Sequence, residues 1–286
     1  MKNIIYHLKL CFLTPVFLGS ATAIVLLCFT CCPYTDYDIN RSYSVLEVIF
    51  SESEKLLESS YRFSSICVFG SALDGGYTTT FIPTIAPLSF VASFCACKKS
   101  KFTRFEISRT GYFKNYFSRF ISAILTGGIC VMLGILLFGI SVGFLFPDIT
   151  AYNLSPDEMT RLFPDGESIY IIKKLISAFL FGAFASAPSF ILCALCSNAY
   201  LILCVPFLLF YVWNTAITKI SLYAFENGIN TLSSAIPPFS PTAVLQLLYS
   251  KELYFIIATS SVILLFFVLS FIGYVLKKKT EIDRGE

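Results

Sequence analysis

Lys98, Lys99, Lys101, Arg104, Arg109, Lys114 and Arg119 crowd into one short segment with Glu106 as its only acid, a net charge of +6. Phe102, Phe105, Tyr112, Phe113 and Tyr116 lie among them. Charged side chains beside aromatic rings suit a small, polar-rimmed contact with another protein. A basic anchor on anionic lipid has the same composition, and composition alone favours that simpler reading. Groups for bond-making chemistry are sparse elsewhere. His7 is the single histidine, so a His-rich metal site or an HExxH motif is excluded. No GxxxxGK[ST] phosphate loop occurs, so the chain does not hydrolyse ATP by that route. Of eleven cysteines, Cys11, Cys28, Cys130, Cys193, Cys196 and Cys204 fall in apolar runs, where a thiol behaves as a small hydrophobe. Cys95 and Cys97 close a further apolar run. A bridge from Cys31 or Cys32 to Cys67 is open to the chain, with free thiols preferred.

The elements that must hold these residues are apolar. Of 286 residues, 56% are hydrophobic and 14% charged, against a charged share of about 25% in soluble domains. No water-soluble core hides that much apolar surface, so lipid is the missing solvent. The net charge of +3 is too small to point to nucleic acid. Six stretches are long enough to span: 10–32, 78–97, 120–146, 175–196, 199–217 and 253–276. A helix needs about 20 residues to cross the hydrocarbon, and none of the six contains Asp, Glu, Lys, Arg or His. Pro83 and Pro87 predict a kinked second span, and Pro188 and Pro206 predict kinks further on, which neighbouring helices can accommodate. The first run, after Lys2 and Lys9, is longer than a secretory signal core and ends in Cys31-Cys32-Pro33, so a retained anchor is expected.

Charge sets the expected orientation. The basic loop 98–119 belongs in the cytoplasm. Segments 33–77 and 147–170 each carry a net −4 and belong outside. Lys2 and Lys9 at one end, and Lys277 to Lys279 at the other, then also fall inside. Lys173 and Lys174, at the outer end of the fourth span, are expected to snorkel to headgroups. In the first outer segment, Val45, Leu46, Ile49, Phe50, Leu56 and Leu57 recur at helical spacing opposite Glu47, Glu54 and Glu58. This predicts an amphipathic helix on the outer surface or over the bundle. The loop 98–119 is expected to form a helix along the inner interface, and 219–252, with Pro237, Pro238 and Pro241, an irregular outer cap. Gly127, Gly128, Gly139 and Gly143, with Gly182 and Ser186, permit close helix approach. The expectation is one all-α membrane domain over 1–286, with six transmembrane helices, both termini cytoplasmic, an outer amphipathic helix and an inner connecting helix.

The block 83–128, PTIAPLSFVASFCACKKSKFTRFEISRTGYFKNYFSRFISAILTGG, resembles the permease subunits of type-2 ABC transporters from Firmicute bacteria. The matching residues are a proline-containing second span, the acid Glu106 in the following stretch, Ser108-Arg109, Tyr116, Arg119 and the paired Gly127-Gly128. The run 197–211, SNAYLILCVPFLLFY, is similar to the fifth span of that family, with Pro206 as its central proline. Glu106 is followed by Ile107 where the family usually has glycine, and CACKK replaces the commoner polar turn.

The resemblance implies two six-span subunits, alike or different, each resting on a separate cytoplasmic ATP-binding subunit in the plasma membrane of a Gram-positive bacterium. The loop 98–119 would contain a coupling helix docked on the ATPase, with Arg104, Phe105, Glu106, Arg109 and Tyr112 as contact residues. ATP and Mg would sit on the partner, this chain binding no cofactor itself. The exported cargo, whether peptide, drug-like or lipidic, stays open, as does the direction of transport. An intramembrane charge costs about 2.5–3.5 kcal/mol on insertion scales and is kept for function. The charge-free spans therefore weigh against an intramembrane enzyme or a self-powered transporter. An alternative is a non-transporting immunity or accessory protein that binds a peptide through its outer loops.

Overall fold

The computed structural model describes residues 2–36, 41–50, 60–74, 76–99, 106, 108–109, 111–196 and 198–283. Five helices among them are long and apolar enough to cross a membrane, and six if one bent pair counts as a single span. The chain is a multi-pass helical membrane protein.

The bent pair is the expected first span. Helix α1 (Lys2–Phe12) and helix α2 (Pro15–Cys28) meet at an angle of 63°. The break is at Thr14-Pro15. Proline disfavours a helical residue before it and lacks the N–H that would continue the helix. Thr14 is accordingly extended, at φ −83° and ψ 139°, and its hydroxyl donates to Cys11 O at 2.7 Å. The 14 residues of α2 rise only about 21 Å, short of the roughly 30 Å hydrocarbon core. The span expected as one continuous helix over 10–32 is therefore corrected to two helices bent at Pro15.

After α2 comes a small hairpin that no periodicity announced, β1 (Tyr34–Asp36) antiparallel to β2 (Arg41–Tyr43). Helix α3 (Val45–Phe50) sits on the end of α2, with the Val45 and Leu46 amides donating to Cys31 O and Phe29 O. It buries Val45 and Val48, while Phe50 is 80% exposed, so the expected stripe is rotated. Leu56, Leu57, Glu54 and Glu58 of that stripe lie outside the described residues. Helix α4 (Ser65–Ser71) follows. Cys31, Cys32 and Cys67 are all free thiols, and Cys31 Sγ lies 3.3 Å from Ser71 Oγ.

The bundle proper consists of α5 (Gly76–Lys99), α6 (Tyr112–Leu145), α8 (Glu167–Leu195), α9 (Ala199–Glu226) and α12 (Leu253–Asp283). Short helix α7 (Pro156–Leu162) precedes α8, starting with a Ser155–Glu158 capping box. Helices α10 (Asn230–Ala235) and α11 (Ala243–Gln246) lie between α9 and α12. Helix α9 runs to Glu226, so the segment expected as an irregular cap begins as helix. Helix α6 starts at Tyr112, eight residues before the expected span, and its 34 residues reach about 51 Å.

Helices α6 and α8 are the most closely packed pair, with α2 and α5 against them. A Cβ on Gly127 would stand 1.8 Å from Ser186 Oγ and 3.2 Å from Gly182 O, and one on Gly182 would stand 2.8 Å from Gly127 O. A Cβ on Gly128 would meet Phe179 at 2.8 Å. Those glycines let two backbones touch. Gly139 instead accommodates Phe69 of α4, and Gly143 has nothing within 4 Å of a would-be Cβ, so it marks no close approach. Helices α9 and α12 are peripheral: 17% of the most apolar window of each is buried, against 67% for the segment containing α8.

The proline inside α9 is matched by a donor on a neighbouring helix. Pro206 cannot donate to Ile202 O four residues back. Ser189 Oγ of α8 supplies that bond across the interface at 3.2 Å. Separately, Thr259 Oγ1 of α12 donates to Pro238 O in the segment before it, at 3.0 Å.

Candidate functional site: a buried charged cluster at one end of the bundle

Of the basic loop, Glu106, Ser108 and Arg109 are helical. Gly111, at φ +80°, turns the chain into α6, a conformation glycine adopts without a Cβ penalty. From there the loop's second half is the first two turns of α6. Asn115, Ser118, Arg119, Ser122 and Thr126 fall at helical spacing on one side of α6, and all are buried. Such a polar stripe requires a cover that supplies partners. Helix α1 is that cover, tilted across it by the break at Pro15. Ser122 Oγ donates to Ile4 O at 3.3 Å, and Ser93 Oγ of α5 donates to Leu10 O at 3.4 Å. Cys11 of α1 lies beside Thr126 and Ser93, and His7 beside Asn115.

Arg119 is the charge at the centre. Its Nη2 donates to Glu106 Oε2 at 2.6 Å, and the two side chains are 6% and 13% exposed. Its guanidinium carbon lies 5.8 Å from the centroid of the Phe94 ring on α5, within range of a cation–π attraction. One ion pair thus ties the loop between α5 and α6 to the base of α6 and, through Phe94, to α5.

His7 is 4% exposed. Burial is the largest influence on its imidazole and lowers its pKa below the ordinary value; Arg119 pushes the same way, opposed by Glu106 and Asn115. A neutral ring beside a compensated charge pair is a fixed polar contact. Asn115 Nδ2 is buried with no hydrogen-bond partner among the described residues.

The loop residues expected to contact a partner divide. Arg104 and Phe105 lie outside the described residues. Glu106 has helical backbone but points inward to Arg119, so it is a latch in this conformation rather than an outward contact. Arg109 is also helical and is exposed. Tyr112 is the first residue of α6. Arg119, Asn115 and His7 were not singled out by spacing, because the feature that unites them is the fold-back of α1.

A second compensated charge sits at the opposite end. Lys174 is 8% exposed; its Nζ lies 3.2 and 3.4 Å from the two carboxylate oxygens of Asp74 and 5.6 Å from the Tyr249 ring centroid. Lys173 pairs with Asp165. The expectation that both lysines reach for headgroups is corrected: each has a protein carboxylate instead. Nearby, Asn214 Oδ1 accepts from Ser240 Oγ at 2.7 Å and Thr242 Oγ1 at 3.2 Å, fastening α9 to the segment before α12 beside a cleft of about 500 Å³.

Comparison with protein-family models, curated proteins and solved structures finds no match.

Among the described residues no group of His, Cys, Asp and Glu is arranged to hold a metal ion. What the charged cluster can do is mechanical: link a connecting loop to the longest helix of the bundle.

Proposed function

We propose that the chain is the membrane-spanning permease subunit of an ATP-driven transporter, paired with a second permease subunit and driven by a separate cytoplasmic ATP-binding subunit. In this reading both termini and the 98–119 loop are cytoplasmic, following the distribution of basic residues. The observation that carries it is the buried Glu106–Arg119 pair. A loop that only anchored to lipid would need no such tie. A loop that receives a push does, because the force must enter a rigid element. Here it would enter α6 at Arg119 and pass to α8 along the Gly127–Gly182 contact, where backbones meet without a compressible side chain between them. The bundles would then rock as rigid bodies between inward- and outward-facing states. ATP and Mg would be held by the partner alone. The test is charge reversal at Arg104 and Arg109 together, in the assembled complex. Loss of coupling between ATP hydrolysis and transport, with membrane insertion intact, is expected. Normal transport by that double variant would contradict the proposal.

A further inference from the structure

A cleft of about 560 Å³ lies between the end of α2, the start of α5 and the middle of α9. Its volume falls within the range of small-molecule sites. Among the described residues its only charged lining residue is Asp74. Lys174 approaches that carboxylate but does not line the cleft, and the Asp74 side chain remains 70% exposed. A carboxylate has about four lone-pair positions, so one buried ammonium leaves others open.

The remaining lining is hydroxyl, thiol and aromatic side chains. Thr30 and Thr78 both donate their hydroxyl protons to Leu27 O, at 2.7 and 3.5 Å. Three aromatic residues complete it: Tyr77, Phe81 and Tyr211. Phe81 stacks on Phe207 at 5.5 Å, and Phe207 on Tyr211 at 6.2 Å, so α5 and α9 hold these rings in one stack. No lysine, arginine or histidine lines the cleft among the described residues. A positively charged guest would gain from the exposed side of the Asp74 carboxylate, beyond its Lys174 partner, and from the aromatic quadrupoles.

We propose that this cleft binds an aromatic or alkyl ammonium cation, its charge on Asp74 and its apolar body against Tyr77, Phe81 and Tyr211. The site lies apart from the 98–119 loop, and its test needs no ATPase, so it stands or falls independently of the coupling proposal.

The experiment uses the full chain in phosphatidylcholine nanodiscs, titrated against rhodamine 6G, an aromatic cation with N–H donors, and read by fluorescence anisotropy. Fluorescein serves as the anionic control. Saturable binding of the cation is expected, weakened at least tenfold by Asp74→Asn and by Tyr211→Ala. Lys174→Met, which removes the competing ammonium and leaves the carboxylate whole, should tighten binding several-fold. Tyr211 is 53% exposed, so its replacement tests the site even where loss of Asp74 unsettles the fold around Lys174. Absence of saturable binding to the unmodified chain would overturn the proposal. So would equal binding of fluorescein, or affinity unchanged within twofold in both weakening variants.

Discussion

Glu106→Gln should be among the most damaging single substitutions outside the spans, because it strands a cation. The carboxylate and guanidinium are 2.6 Å apart at their nearest atoms, with side chains 13% and 6% exposed. At an effective dielectric near 20, unit charges about 4 Å apart attract by roughly 4 kcal/mol. Removing one member of such a buried pair costs about 3–5 kcal/mol, mostly the penalty of leaving the other charge uncompensated. The Phe94 ring offsets part of that, by about 1 kcal/mol at this distance. Glu106→Gln should therefore lower stability by about 2–4 kcal/mol. The double variant Glu106→Gln/Arg119→Met, which leaves no charge, should recover most of the loss. The assay is a double-mutant cycle by SDS-driven unfolding in mixed micelles, followed by circular dichroism. A cost below about 0.5 kcal/mol for Glu106→Gln, or strict additivity in the double variant, would refute a buried, coupled pair.

His7 is the only histidine, so its titration can be followed by NMR without assignment, using a non-histidine affinity tag. Its pKa should lie below the ordinary histidine value, rise in Arg119→Met and fall further in Glu106→Gln. Because the folded pKa is the lower one, the neutral ring's contribution is complete above the unfolded value and is lost as pH falls through the folded value. The unfolding midpoint should therefore drop on acidification below about pH 6.5, and less so in His7→Gln. Gly127→Val and Gly182→Val should each cost about 1–3 kcal/mol or prevent folding, because a Cβ there meets the opposing helix at 2.8–3.2 Å from backbone oxygen. Gly143→Ala should be near neutral, both read by the same unfolding assay. Ser189→Ala should cost about 1 kcal/mol, and much less in a Pro206→Ala background, where Ile202 O regains an intrahelical donor.

The spans were legible because an apolar run without charge has few alternatives. Thr78 to Cys97 appears as helix within two residues of the expected limits, and the span expected from Leu253 starts there and continues as helix to Asp283. The break at Pro15 was also written in the chain, as a proline preceded by a threonine that can cap. Length and hydropathy pass over such a single residue. The start of α6 was not legible. Asn115, Ser118 and Arg119 read as a solvated face until α1 folds beneath them, and α1 is more than a hundred residues away in sequence. Lys174 and Asp74 are 100 positions apart, with no local signal linking them. The inward turn of Glu106 has the same origin: a carboxylate in a basic loop looks like surface, and only the placement of Arg119 makes it a buried partner.

The central claim is that the 98–119 loop joins this chain to an ATPase. The direct test is purification of the tagged chain in mild detergent from cells expressing its whole neighbouring gene cluster, with mass spectrometry and an ATPase assay on the product. Co-purification of an ATP-binding subunit, lost when Arg109 and its neighbours in the loop are replaced, is the predicted result. A clean preparation of the chain with no ATPase would contradict it.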